Sequence, residues 1–137
     1  MERTKFSEYN NCFVCGTGNP LGMKVTAQKG EGTSIVTWLA RREFEGYSGV
    51  LHGGIVSALL DEAMAYATLS IASNCATAEM NVRFLRPVRV GESVRVEGVV
   101  TGQHRRLYHT SAELIQDGEI RAIATGKFIA AAHKKDG

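Results

Sequence analysis

Gly49-Val50-Leu51-His52-Gly53-Gly54-Ile55-Val56-Ser57-Ala58-Leu59-Leu60-Asp61 is where the pattern of the chain changes. From Gly53 onward apolar residues recur at Val56, Leu59, Leu60, Ala63, Ala67 and Ile71. That spacing predicts a helix of about five turns. Ala58, Ala63, Ala65, Ala67 and Ala72 keep it slim and favour helix formation. Its only charges are Asp61 and Glu62, so most of its faces are expected to be buried.

On both sides of this segment the period is two. Upstream, Met23, Val25 and Ala27 alternate with polar residues. Val36 and Trp38 do so within 34–40, and Lys29-Gly30-Glu31-Gly32 supplies a hairpin-type turn between the two runs. Phe44 to Gly49 has no regular period. Downstream, Ala78, Met80, Val82 and Phe84 are expected on one face of a strand. Val94, Val96 and Val100 mark a strand in 92–102, and Tyr108, Thr110, Ala112 and Leu114 mark the next. Asp117-Gly118 is a two-residue hairpin signal before a last strand from about Ile120 to Ala130. The order β-β-α-β-β-β-β, with four strands joined by short links, predicts an α+β fold. One long central helix is wrapped by a curved antiparallel sheet of about six strands. The absence of alternating strands and helices argues against a doubly wound nucleotide fold.

The 137 residues suit a single domain spanning 1–137. Sixteen basic minus fourteen acidic residues leave +2, and no like-charge run exceeds two, which argues against a nucleic-acid partner. The polar N-terminus MERTKFSEYN lacks the apolar stretch of a signal peptide. No apolar run reaches membrane-spanning length, since Asp61-Glu62 interrupts the best candidate. Cys12, Cys15 and Cys75 are odd in number and carry no export signal, so reduced thiols and a cytoplasmic location are expected.

Two glycines at a helix N-terminus leave N–H groups unobstructed, and the helix dipole favours negative charge there. An oxyanion formed during acyl transfer is such a charge. The plain alternative is a tight turn feeding the helix. Asp61 lies eight residues beyond Gly53, on a stripe with Ser57, Ala58, Met64, Ala65 and Thr68. A carboxylate in the middle of a buried helix is costly unless it is paired or used. Burial would raise its pKa and suit it to general-base work, while a structural ion pair is the competing reading. Glu62 turns about 100° away from Asp61, so the two are expected to serve different surroundings. His52 either contacts a substrate carbonyl or orders the turn, the second being the commoner role. Arg105-Arg106 is either a phosphate-binding pair or a solvated basic turn. Cys12-Phe13-Val14-Cys15 has no second Cys pair or clustered His, so no metal site is expected.

Taken together, three blocks resemble a hotdog-fold thioesterase, in particular the PaaI-like branch of acyl-CoA thioesterases. They are Cys12-Phe13-Val14-Cys15-Gly16-Thr17-Gly18-Asn19-Pro20-Leu21-Gly22-Met23, then Phe44-Glu45-Gly46-Tyr47-Ser48-Gly49-Val50-Leu51-His52-Gly53-Gly54 leading to Asp61, then Thr77-Ala78-Glu79-Met80-Asn81. The resemblance implies hydrolysis of a fatty or aryl acyl-CoA without a cofactor. It implies a dimer joined edge to edge, often paired into a homotetramer, with active sites between subunits. Asp61 is implied as base or nucleophile, and the Gly53 N–H, with Gly54 beside it, as the group that polarises the thioester. Thr77 is implied to position water, reaching in from the partner subunit. Gly46 stands where some relatives carry an Asn that contributes to catalysis. Rival readings are a non-catalytic acyl-CoA binding module on the same scaffold and a hotdog hydratase. The latter is disfavoured because no His follows Asp61 within the helix.

Overall fold

A computed structural model describes residues 10–131. The elements are β1 (Thr26–Lys29), β2 (Thr33–Leu39), α1 (Gly53–Leu69), β3 (Ala76–Phe84), β4 (Ser93–His104), β5 (Leu107–Gln116) and β6 (Glu119–Ile129). A short 3-10 turn, Arg42–Phe44, interrupts the irregular stretch before α1. All six strands form one antiparallel sheet in the order β1-β2-β4-β5-β6-β3. The expected hotdog architecture is therefore observed. The polar stretch 1–9 lies outside the described residues.

Burial follows the sequence periods. β5 alternates strictly, with Tyr108, Thr110, Ala112, Leu114 and Gln116 turned inward, and β2 buries Ser34, Val36 and Trp38. These faces close on Val56, Leu59, Leu60, Ala63 and Met64 of α1, together with Val94, Val96 and Phe128. β-Bulges at Ala78 in β3, Thr101 in β4 and Arg121 in β6 bend their strands and curve the sheet round the helix. Asp117 and Gly118 both have positive φ, 54° and 73°, the geometry of a type I′ hairpin turn.

The helix lies so close to the sheet that one strand residue has no room for a side chain. A Cβ on Gly98 would overlap the carbonyl of Ala63, the same carbonyl that accepts a 2.5 Å hydrogen bond from Ser34 Oγ. Gly98→Ala is therefore expected to lower stability by about 1–3 kcal/mol, the usual cost of overpacking. Chemical denaturation measures it; an unchanged midpoint would show that the helix can retreat from β4.

Two expectations about the strands need correction. β1 starts at Thr26 rather than near Met23, because Lys24 adopts a left-handed φ of 58°. Met23 and Val25 are buried nonetheless, with their N–H groups donating to Phe13 O and Val14 O at 2.8 and 2.9 Å. In β3 the simple alternation fails at a bulge between Thr77 and Glu79. Thr77, Met80, Val82 and Phe84 pair with Phe128, Gly126, Ala124 and Ala122. Those four β6 residues are buried on the helix side, so their partners share that face and Ala78 is the extra residue.

Candidate active site

His52 is the N-cap of α1. Its Nδ1 accepts the Gly54 N–H at 2.8 Å, and its carbonyl accepts the N–H groups of Ile55 and Val56. The ring is thus a helix cap, and it engages the Gly54 amide. The Gly53 N–H has no hydrogen-bond partner among the described residues. The unobstructed amide at this helix N-terminus is Gly53's, where the dipole adds partial positive charge. Gly46 packs against the capping residue, where a Cβ would stand 3.2 Å from the His52 α-carbon.

Two turns further along, Thr77 Oγ1 donates to Asp61 Oδ1 at 2.6 Å. That length is typical of a hydroxyl bonded to an ionised carboxylate. The β3 bulge makes the contact, since strict alternation would turn Thr77 to the other face of the sheet. Thr77 thus meets Asp61 of its own chain. Burial holds the Asp61 carboxyl above its ordinary pKa, and the Thr77 hydrogen bond offsets part of that shift. Oδ2 is left for a further donor such as water. Thr77→Val should lower kcat about 10-fold to 100-fold with little change in KM, the value of one hydrogen bond to a charged group. An equal loss in Thr77→Ser, which keeps the hydroxyl, would contradict that role.

A cavity of about 670 Å³ opens at the helix N-terminus, lined by Tyr47, His52, Gly53, Val56, Phe84 and Leu85 among others. Its walls are mostly apolar, and Tyr47 is 88% exposed at its rim. Asp61 and Thr77 do not line it. The predicted site residues thus fall in two groups along the gap between α1 and β3: His52 and Gly53 at the Phe84 end, Asp61 and Thr77 at the other. Arg105 and Arg106 form the β4–β5 turn. Leu107 and Ala76 both pair with Ile129, which puts that turn at the Thr77 end of the sheet, two strands from β3. Arg106 Nη1 donates to Ala130 O at 3.2 Å, and neither guanidinium has a carboxylate partner among the described residues.

Glu62, expected to serve different surroundings from Asp61, is the more deeply buried carboxylate, at 7% exposure. It faces the N-terminal turn segment, and its carboxylate hydrogen-bonds with Cys15. Burial, with a smaller push from the Asp61 charge, raises its pKa.

The model of the thioesterase superfamily matches residues 48–123, from just before the glycine pair into the first half of β6. The chain belongs to the thioesterase superfamily. Among its relatives, human acyl-coenzyme A thioesterase 13 is 28% identical over 109 residues, covering 78% of each chain. The solved structure of the E. coli PaaI protein from the phenylacetic acid degradation operon has a TM-score of 0.76 and 22% identity, covering 80% of this chain and 81% of that one. A Streptococcus mutans protein bound to acetyl CoA has a TM-score of 0.74 and 18% identity, covering 79% and 89%. These two solved structures share the superfamily fold with this chain. No helix among the described residues is long and apolar enough to cross a membrane.

Proposed function

We propose that this thioesterase-superfamily chain hydrolyses acyl-CoA thioesters to free acid and CoA. The observation that carries the reading is a half-buried Asp61 held by Thr77, on a helix whose first amide is free of hydrogen-bond partners. Asp61 takes a proton from water, the water attacks the thioester carbon, and the negative charge on oxygen meets a Gly53 N–H. Collapse expels CoA as thiol or thiolate. A curated relative named as an acyl-coenzyme A thioesterase supports the substrate class.

Distance favours a site shared by two copies. Eight residues of helix separate the α-carbons of Gly53 and Asp61 by about 12 Å, at 1.5 Å per residue. A carbonyl bond is only about 1.2 Å long. A carbonyl held by one copy's Gly53 and met by the other copy's Asp61 does not have to bridge that span. A second copy docked along the exposed edge of β3 would bring its helix N-terminus near the first copy's Asp61–Thr77 pair, and would cover an otherwise unpaired strand. The apolar cavity at the helix N-terminus takes the fatty or aryl acyl group, and the Arg105-Arg106 turn supplies a contact for CoA phosphates. Cys12, Cys15 and Cys75 are unbridged, which fits a reducing compartment such as the cytoplasm.

A panel of alkyl and aryl acyl-CoA substrates, followed by free-thiol detection, tests the reading, with light scattering to give the oligomeric state. Thiol release from at least one class, by a dimer or tetramer, is expected. Tight acyl-CoA binding with no thiol release across the panel would instead make the chain a binding module.

A further inference from the structure

The CxxC pair has no part in the proposed hydrolysis, yet the fold gives it a third donor. Cys12 Sγ, Cys15 Sγ and a Glu62 carboxylate oxygen all lie within 4.8 Å of one another. We propose that Cys12, Cys15 and Glu62 bind a thiophilic divalent cation of the zinc class, pinning the N-terminal turn segment to the central helix.

Three observations converge on the site. The first is an orphaned oxygen. Glu62 Oε2 is buried and has no hydrogen-bond partner among the described residues, although the residue is only 7% exposed. A buried polar atom without a partner costs free energy that a bound ion would remove. The second is the shape of the turn. The Cys15 N–H donates to Cys12 Sγ at 3.5 Å, and the Gly16 N–H closes the turn onto the Cys12 carbonyl at 2.9 Å. An amide aimed at a sulfur fixes the direction of that sulfur and orients it for a metal. The third is donor chemistry and reach. With bonds of about 2.3 Å to sulfur and 2.0–2.2 Å to oxygen, tetrahedral donors stand roughly 3.5–3.8 Å apart. Thiol rotation needs to close the present triangle by only about 1 Å. Two thiolates with one carboxylate suit zinc rather than magnesium or calcium, and leave the fourth position for water. All three thiols are unbridged, so the pair is available.

The site is separate from the hydrolytic one. Glu62 points about 100° away from Asp61 round the helix. Segment and helix are far apart in sequence, so a shared ion would act as a clip between them. This role does not depend on the acyl-CoA reading.

The full chain, purified with reductant and no chelator, is loaded with zinc chloride, gel-filtered and analysed for metal. A parallel sample is loaded with cobalt(II) chloride. About one zinc per chain is expected. The cobalt sample should show thiolate-to-metal charge transfer and tetrahedral d–d bands. In a competition titration Cys12→Ser, Cys15→Ser and Glu62→Gln should each weaken binding at least ~100-fold, since loss of even an outer partner costs 10-fold to 100-fold. Cys75→Ser should bind as the wild type does. Circular dichroism checks the fold of each variant. One comparison avoids Glu62 variants altogether: a chelator should lower the Tm of the wild type but leave that of Cys12→Ser unchanged. A featureless cobalt spectrum with substoichiometric zinc would overturn the assignment. Undiminished affinity in both Cys12→Ser and Glu62→Gln would do so as well.

Discussion

Asp61→Asn should leave the protein folded and cut kcat for its best acyl-CoA substrate by about 10³-fold, within the 10² to 10⁴ range that a positioned general base contributes. The amide is close to isosteric with the carboxylate. Its oxygen still accepts the Thr77 hydroxyl, so the β3 bulge keeps its partner. What disappears is the proton acceptor. Stability should move the other way. Burial already disfavours the charged form of Asp61, so a neutral Asn relieves that cost and Tm should hold or rise, the usual trade at a working site. Steady-state thiol release and a thermal melt on the same preparation read both. A Tm that falls with kcat would mark Asp61 as structural, and an unchanged kcat would remove it from the mechanism. Single turnover of the wild type in heavy-oxygen water separates two routes. Label in the Asp61 carboxyl means direct attack through a mixed anhydride; label only in the released acid means activated water.

The fold was readable because two periods dominate the sequence. The 3.6 spacing of Val56, Leu59, Leu60 and Ala63 and the strict alternation of β2 and β5 are both consequences of burial on one face, and burial is what the sequence records. Gly53, His52 and Asp61 stand out in the sequence for a related reason: each breaks the local pattern at a position where chemistry or a turn accounts for it. Thr77 was not readable from spacing. Its inward aim depends on a single inserted residue at Ala78, and a bulge leaves no signature in the alternation of small residues. For Glu62, helix geometry gives only its angle from Asp61. That it meets Cys12 and Cys15 is set by how the segment 10–22 packs across α1, a contact of long sequence separation. Nothing in a glycine pair says which of its two amides the neighbouring His52 will take.

Gly53→Pro isolates the second half of the mechanism, since it deletes an N–H and little else. Position 53 opens the helix, where proline is well accepted and the lost N–H has no intrahelical partner. His52 already has φ −58° and ψ 136°, the extended conformation that a following proline requires. A Cβ there would meet the nearest atom of Phe84 at 3.6 Å, an ordinary contact. The fold should therefore survive while kcat falls about 10²-fold to 10³-fold, the cost of one oxyanion donor. Gly53→Ala keeps the N–H and should retain most activity. If both variants lose activity equally, the added carbon is to blame and the oxyanion role fails. The pair of inactive variants also tests where the site is built. Asp61→Asn and Gly53→Pro chains, refolded together, should recover about a quarter of wild-type activity if amide and carboxylate come from different copies. Random pairing makes half the dimers mixed, and each mixed dimer has one intact site of two. If a single chain supplied both groups, no mixture would contain an intact site and activity would stay at the level of the variants alone.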